Sequence, residues 1–415
     1  MISRRRIHPA GNEEPECPKG KKQLLQVPSV SRRVDPPTMS ICRRAKWVLI
    51  VSVCAVLSGS AGARASVPLG GGAAGACLLL HDWGGKSPAA TPTFIRENRA
   101  FLERLPFDGV AVYLRNPDGS VNVTTSAMTN QRLGYEVISK VLAPLKGVQF
   151  TTMTQNFAAV FSGRPPDFFG DWSLVIRNFA DLARAAREMG LKGIYFDNEN
   201  HSAKWSHYPD GVDHPSLSLA DYQAQARLRG RQTMEAMVSQ FPEIVVISLH
   251  GPYLSEPKAP APLFPQWQPT NQLMGPFFCG FVQGAGKKAT CVDGGRLYHL
   301  RAPKEFQESY DWRKSGIASN KVNSAFIPDP LRSLWPARVS VGFGIYNQPY
   351  DRFDMLPEIL RPTIANALKR TDRYVWLHVD GFTYLKPPKN GGAPDVWVDA
   401  VRQGRTDALR KVIRR

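Results

Sequence analysis

Short apolar runs recur along the chain from residue 76 onward, and each is followed by polar residues, Gly or Pro. Eight such runs can be distinguished, at 76–83, 107–115, 147–156, 192–199, 243–251, 277–284, 337–347 and 373–381. They are continuously apolar rather than strictly alternating, which is typical of strands buried on both faces of a parallel sheet. The pattern therefore predicts eight buried parallel strands.

Between several of these runs, apolar residues recur at helical spacing. The segment 172–190 ends on Gly190, where a helix is expected to stop. A second segment opens with Ser218 and Asp221 at the spacing of a capping box and stops before Pro242. Both segments are predicted to be helices.

Strands that alternate with helices predict an α/β fold whose parallel sheet closes on itself. We predict a single-domain (β/α)8 TIM barrel over 76–390, followed by a C-terminal helix over 391–415 packed on the barrel. An open, doubly wound sheet is the alternative. The Gly motif at 284–289 is a weak dinucleotide signal, and the chain has no Walker loop, G-x-S-x-G elbow or H-E-x-x-H motif. We expect no cofactor and no metal.

The positive charge of the chain is concentrated at its front. The formal net charge is +18 at pH 7, and residues 1–65 hold 12 Lys or Arg against 4 Asp or Glu. A basic cluster at the C-terminus fits the solvated face of a terminal helix. We therefore expect no nucleic-acid partner.

The segment 39–65 has the layout of a secretory signal peptide. A basic stretch precedes an apolar run over 47–57, and Ala63-Arg64-Ala65 forms an A-x-A cleavage site. The apolar run is too short for a membrane span, so no stable anchor is expected after cleavage. We predict a secreted or periplasmic protein in which 1–38 is a disordered upstream extension and 66–75 a Gly-rich linker.

Export changes the interpretation of the cysteines. After cleavage, Cys77, Cys279 and Cys291 remain. In an oxidising compartment, Cys279 and Cys291 could close a short Gly-rich excursion, so we predict a disulfide between them. Three unpaired thiols are the alternative.

The fourth apolar run ends on two carboxylates, in the sequence LKGIYFDNENH. In a barrel, alternate strand residues point inward, and those at the carboxyl ends of the strands face the site. This alternation places Asp197 and Glu199 at the mouth of the barrel. The same alternation in the eighth run places Asp380 there as well. The predicted substrate-binding residues around the same rim are His81, Asp82, Trp83, Tyr113, Arg115, Asn156, Asn200, His250, Tyr253, Tyr346, Trp376 and His378.

Carboxylates combined with aromatic side chains suit the hydrolysis of glycosidic bonds. One carboxyl group protonates the leaving oxygen, a second carboxylate attacks or activates water, and aromatic rings stack on sugars. The residues IYFDNE and WLHVDG, at the ends of the fourth and eighth runs, resemble those of a glycoside hydrolase superfamily barrel. The resemblance implies a carbohydrate substrate and an acid/base Glu at Asn198-Glu199. Such families carry a second Glu on strand seven, where this chain reads IYNQPYD.

The expected roles follow from these positions. We predict Glu199 as the general acid, Asp197 as the group that orients substrate or stabilises positive charge, and Asp380 as the base that activates water. Because the fourth and eighth strands lie across the barrel, the pair favours inversion of configuration. Alternatives are a non-catalytic glycan-binding barrel, a metal-using hydrolase, and a purely structural role for Asp197 and Glu199.

Overall fold

The computed structural model describes residues 75–82, 89–200, 203–256, 259–260, 271–322, 324–347 and 355–410. The upstream extension and signal peptide predicted for 1–65 lie outside these ranges, and so does Trp83. Within the described ranges, no helix combines the length and the apolar character that crossing a membrane requires.

The described residues form one sheet of nine strands, and all neighbouring strands are parallel. The strands are β1 Cys77–Asp82, β2 Gly109–Tyr113, β3 Phe157–Phe161, β4 Gly193–Asp197, β5 Val245–Ser248, β6 Thr290–Asp293, β7 Val339–Val341, β8 Phe343–Asn347 and β9 Tyr374–Val379.

Strands β7 and β8 are two halves of one segment, interrupted at Gly342. β7 pairs with β6 in the register Cys291↔Val339, whereas β8 pairs with β9 in the register Phe343↔Val375. The strand order β7-β6-β5-β4-β3-β2-β1-β9-β8 therefore begins and ends on the same segment. The sheet is a nearly closed barrel of eight strand positions, which confirms the predicted (β/α)8 TIM barrel.

Eleven α-helices lie in the described part of the chain. They are α1 Pro92–Glu97, α2 Arg99–Leu102, α3 Val123–Ser126, α4 Tyr135–Leu142, α5 Ser173–Glu188, α6 Leu219–Gln240, α7 Met274–Gly284, α8 Pro303–Asp311, α9 Asp329–Arg338, α10 Pro357–Arg370 and α11 Asp395–Leu409.

The two helices predicted from apolar spacing are α5 and α6. Before α6, the Ser218 hydroxyl accepts a hydrogen bond from the Asp221 backbone, and the Asp221 carboxylate accepts one from the Ser218 backbone. This reciprocal pair is the predicted capping box, and it satisfies two backbone N–H groups that would otherwise lack partners. After α5, Gly190 takes a positive φ of 75°, which glycine adopts without strain.

Strand residues alternate between two apolar clusters. Tyr195 belongs to a cluster inside the barrel, whereas Ile194 and Phe196 belong to a larger cluster between the strands and the helices. Trp376 likewise lies inside the barrel, and its neighbour Leu377 faces the helices. The predicted inward and outward faces of the fourth and last strands are confirmed.

The prediction of a third strand at 147–156 is wrong, because β3 begins at Phe157. The preceding segment is irregular. The Glu103 carboxylate accepts hydrogen bonds from the backbone N–H groups of Thr151 and Thr152, at 2.6 and 3.1 Å. Backbone groups bound in this way are not available to a neighbouring strand.

The prediction of a sixth strand at 277–284 is also wrong, because this run is part of α7 and β6 lies at Thr290–Asp293. Nearly every residue of α7 is buried, so its helical period does not show in the sequence. Cys279 on α7 and Cys291 on β6 are separate, buried free thiols in the outer apolar cluster. The predicted disulfide is therefore absent from the structure.

Asp108, just before β2, contacts both the first strand and the last helix of the described chain. One carboxylate oxygen accepts a hydrogen bond from the Leu78 backbone in β1 at 2.7 Å. The other lies 2.5 Å from the Arg405 guanidinium on α11. α11 packs mainly against α10, so Asp108 is a direct link between the terminal helix and the strand side of the barrel.

Candidate active site

A cavity of about 720 Å³ opens at the carboxyl ends of the strands, where barrel sites are expected. Its lining combines acids, bases and aromatic rings contributed by most of the strands. The lining residues are His81, Tyr113, Arg115, Asn122, Thr124, Thr125, Phe161, Asp197, Glu199, Leu249, Arg296, Tyr298, His378 and Asp380.

All three predicted catalytic carboxylates line this cavity. Asp197 is the last residue of β4 and is buried, and it accepts a hydrogen bond from the Glu199 backbone at 3.2 Å. Asp380 follows β9, on the opposite side of the barrel in the strand order. The fold therefore brings carboxylates from opposed strands to one cavity.

The Glu199 side chain lies between two basic groups. The Arg296 Nε atom is 2.8 Å from Glu199 Oε1, and the His250 Nε2 atom is 3.3 Å from the same oxygen. The Glu199 side chain is 19% exposed, so water screens the ion pair only partly. A guanidinium at this distance stabilises the ionised carboxylate.

Arg296 is held in place by the chain around it. Its backbone N–H donates to the Leu249 carbonyl at 3.0 Å, after the end of β6. Its guanidinium also lies over the Tyr298 ring, 4.6 Å from the centroid, a cation–π arrangement. The position of the cation beside Glu199 is therefore fixed from two sides.

Asp380 has a more polar and open environment. The Tyr346 hydroxyl donates to Asp380 Oδ2 at 3.3 Å, and the Gly381 backbone donates to Oδ1 at 2.8 Å. No Lys or Arg contacts its carboxylate within the described ranges. Asp380 and Glu199 thus differ in the charge of their neighbours.

Histidine and tyrosine side chains form the floor of the cavity. His81 Nδ1 lies 3.0 Å from the Tyr195 hydroxyl and 3.3 Å from His378 Nδ1, and its Nε2 lies 3.3 Å from the Tyr113 hydroxyl. Burial raises the pKa of Tyr113 and Tyr195 well above the ordinary value. Both phenols therefore stay protonated and can donate hydrogen bonds.

The His378 ring packs beside two tyrosines whose planes are nearly parallel to its own. Its centroid is 5.1 Å from that of Tyr346 and 6.0 Å from that of Tyr298, with interplanar angles of 13° and 11°. Tyr298 and Tyr346 are themselves stacked at 5.0 Å. Flat aromatic surfaces of this kind can pack on the apolar faces of sugars.

Three predicted substrate-binding residues have structural roles away from the cavity. Asp82 accepts hydrogen bonds from the Thr383 hydroxyl and the Tyr384 backbone, and so fixes the loop after β9. Asn156 precedes β3 at the amino end of the barrel, where it accepts a hydrogen bond from the Val110 backbone. Asn200 binds Ser206 and Asn271 through its amide, in the loop after β4. None of these three side chains lines the cavity, and their role in substrate binding stays a prediction.

Four further predicted residues lie next to the cavity without lining it. His250 contacts Glu199 from behind, and Tyr253 in turn contacts His250. Trp376 is fully buried under the floor, where its indole N–H donates to the Gly294 carbonyl at 2.8 Å. Tyr346 donates a hydrogen bond to Asp380 and stacks on His378, as described above. His81, Tyr113, Arg115 and His378 line the cavity as predicted.

The sequence analysis missed Arg296, Tyr298 and Phe161. Because the third and sixth strands lie at other positions than the apolar runs predict, the residues at their true carboxyl ends fall outside the predicted rim. The available signal was the sequence TCVDGGR at 290–296, in which a short apolar run meets Asp-Gly-Gly. Among the described residues, no three His, Cys, Asp or Glu side chains are grouped so that they could hold a metal ion.

No protein-family model matches the chain, and no curated protein matches it. Solved structures with a similar arrangement include a GH18 chitinase from Pseudoalteromonas aurantia, with 14% identity over 79% of this chain and 100% of that chain, at a TM-score of 0.37. A GH5-4 broad specificity endoglucanase from an uncultured bacterium is 10% identical over 78% of this chain and 86% of that chain, at a TM-score of 0.44. A β-mannanase from the blue mussel Mytilus edulis is 10% identical over 76% of this chain and 85% of that chain, at a TM-score of 0.35.

Proposed function

We propose that this barrel is a glycoside hydrolase-like enzyme that cleaves glycosidic bonds in a poly- or oligosaccharide. The observation that carries the proposal is the meeting of Asp197, Glu199 and Asp380, from opposed strands, in one cavity lined with tyrosine and histidine rings. Glycosidic hydrolysis needs two carboxyl groups on either side of the scissile bond. Aromatic faces beside them suit a sugar substrate.

The environments of the carboxylates suggest a division of labour that differs from the sequence-based one. Glu199 is stabilised as an anion by Arg296, so it is better suited to act as the base or nucleophile than as the acid. Asp380, which receives hydrogen bonds but contacts no described cation, is then the proton donor. Asp197, buried beside Glu199, stabilises positive charge that develops at the sugar carbon.

A second candidate is a glycan-binding barrel without catalytic activity. One observation favours it: Glu199 already has two basic partners, and the segment after β8 offers no Glu in the sequence IYNQPYD. Such a site would bind sugar through its rings and polar groups without cleaving it. Hydrolysis of any glycan would exclude this candidate.

The test is a screen for reducing-end release on mixed cell-wall polysaccharides, followed by measurements on Glu199→Gln and Asp380→Asn. We expect each variant to lower kcat by a factor of about 100 or more, because each removes one of two groups that act in the transition state. Sugar affinity and the thermal unfolding midpoint should stay close to wild type.

Glu243→Gln is the matched control. Glu243 is an exposed carboxylate before β5, at the opposite end of the barrel, where it pairs with Lys288 at 3.4 Å. Its substitution should leave turnover unchanged. Near-normal turnover of both site variants on a cleaved substrate would show that the chemistry lies elsewhere on the rim.

The proposal includes export to the periplasm or the medium. It is supported by the basic and apolar layout of 39–65 and the A-x-A site that ends at Ala65. Intact-mass measurement of the exported protein should give a chain that begins at Ser66. A mature protein that retains 1–38 would contradict this.

A further inference from the structure

We infer that Asn198, His250 and Tyr253 form a positioning network that holds Glu199 in the cavity as an oriented carboxylate. This inference rests on the proposed function for its catalytic meaning, but the network itself is a matter of hydrogen-bond geometry. None of the three side chains lines the cavity. They act on the reaction only through Glu199.

The first part of the network is a two-point clamp between the ends of β4 and β5. The Asn198 side-chain oxygen accepts a hydrogen bond from the His250 backbone N–H at 2.9 Å, and its amide donates to the His250 carbonyl at 2.9 Å. Asn198 is buried, and it stands between Asp197 and Glu199 in the sequence. The residue between the two carboxylates therefore faces away from the cavity and fixes the backbone of His250.

The second part is the chain of side-chain contacts through the His250 ring. His250 Nε2 lies 3.3 Å from Glu199 Oε1, and Nδ1 lies 2.8 Å from the Tyr253 hydroxyl. Complete burial lowers the pKa of His250, so the ring is neutral at pH 7 and its contact with Glu199 is a hydrogen bond rather than an ion pair. A neutral imidazole has one donor and one acceptor.

These conditions fix the direction of every hydrogen bond in the chain. An ionised Glu199 can only accept, so the proton of His250 must be on Nε2. Nδ1 is then an acceptor, and the Tyr253 hydroxyl donates to it. Burial raises the pKa of Tyr253 well above its ordinary value, which keeps that proton in place.

The network complements the Arg296 ion pair. Arg296 supplies charge, and the His250 Nε2–H group supplies direction, since both contact the same oxygen of Glu199. A carboxylate fixed in this way loses little freedom when substrate binds. His250 and Tyr253 are therefore positioning residues rather than the substrate-binding residues that the sequence predicted.

The test is the tautomeric state of His250, measured by long-range ¹H–¹⁵N NMR of the histidine side chains. The chain has eight histidines, and the His250 signals are identified by their loss in His250→Gln. We expect the Nε2–H tautomer at pH 7 in the wild type. In Tyr253→Phe, Glu199 still accepts from Nε2, so the Nε2–H tautomer should persist, but the ¹⁵N resonance of Nδ1 should shift measurably because that nitrogen has lost its hydrogen-bond donor.

Tyr384→Phe is the matched control, since Tyr384 is also fully buried and its hydroxyl has no hydrogen-bond partner among the described residues. It should leave the His250 spectrum unchanged. A wild-type His250 found as the Nδ1–H tautomer or as imidazolium would overturn the inference. So would a Tyr253→Phe spectrum identical to that of the wild type.

Steady-state kinetics of Tyr253→Phe test whether the network contributes to the reaction. On any polysaccharide that the wild type cleaves, Tyr253→Phe should lower kcat about tenfold and change KM less than about twofold, since it disturbs the orientation of Glu199 but no substrate contact. If no polysaccharide is cleaved, the proposed function fails while the NMR result still decides the network. Cleavage with unchanged kcat in Tyr253→Phe would overturn the positioning role.

Discussion

At the scale of single residues, the carboxyl end of β6 holds a fully buried ion pair next to the site. Asp293 Oδ1 lies 3.1 Å from Arg313 Nη1, and neither side chain is exposed. Burial raises the pKa of Asp293, and the charge of Arg313 opposes this effect. Packing is tight, since a Cβ atom at Gly251 would lie 2.3 Å from the Asp293 carboxyl carbon. The two charges depend on each other because water cannot replace either partner.

Removing one partner should therefore be costly. We expect Arg313→Met to lower the free energy of unfolding by ~3 to 5 kcal/mol, because it leaves the Asp293 carboxylate buried without a counter-charge. Urea unfolding followed by circular dichroism measures the difference. Arg361→Met is the control, since Arg361 pairs with Asp407 on the surface at 2.7 Å and is 45% exposed. Equal losses for the two variants would contradict this account.

At the scale of elements, the fourth and last strands could be predicted because their apolar runs end on marked polar residues. The runs that became β4 and β9 end on FDNE and HVDG, and their inward faces follow from simple alternation. The run 277–284 could not be assigned in this way. A short run that is apolar on every side fits a buried helix as well as a buried strand, and only the packing of α7 against α6 distinguishes them.

The helical assignment of this run has a chemical consequence for its thiol. Burial raises the pKa of Cys279 and of Cys291 to about 12, so below that pH the reactive thiolate is scarce, and its fraction falls further as the pH is lowered. We expect iodoacetamide at pH 8 to leave both cysteines unmodified in the native protein and to alkylate both after unfolding, as read by peptide mass mapping.

Peptide mapping without a reductant tests the alternative, a disulfide between the two cysteines. A peptide that joins Cys279 to Cys291 would show that the exported protein forms the bond that the structure lacks. Rapid alkylation of both thiols in the native state would instead contradict their burial.

At the scale of the whole molecule, the barrel could be predicted because its closure depends on a repeated pattern rather than on any single residue. Two misplaced strands did not change the number of strand positions. The cavity was only partly predictable, since Arg296 reaches Glu199 from the end of β6, two strands away from β4, and the apolar pattern did not reveal β6. Asp82 and Asn200 bind neighbouring loops, and the sequence does not reveal such contacts because a polar residue near the mouth can bind a loop as readily as a ligand.

The contacts of Asp108 with Leu78 and Arg405 mean that the first strand and the last helix are spatial neighbours, although almost the whole barrel lies between them in sequence. We therefore expect the barrel to fold from a different starting point in the chain. A circular permutant that joins residue 410 to residue 75 through about ten Gly and Ser residues, and that opens at the exposed Lys287–Lys288 turn, should regain the same circular dichroism spectrum and a cooperative thermal transition. The trimmed chain 75–410 in its natural order is the reference, and a permutant that stays unfolded would show that the barrel needs its native starting strand.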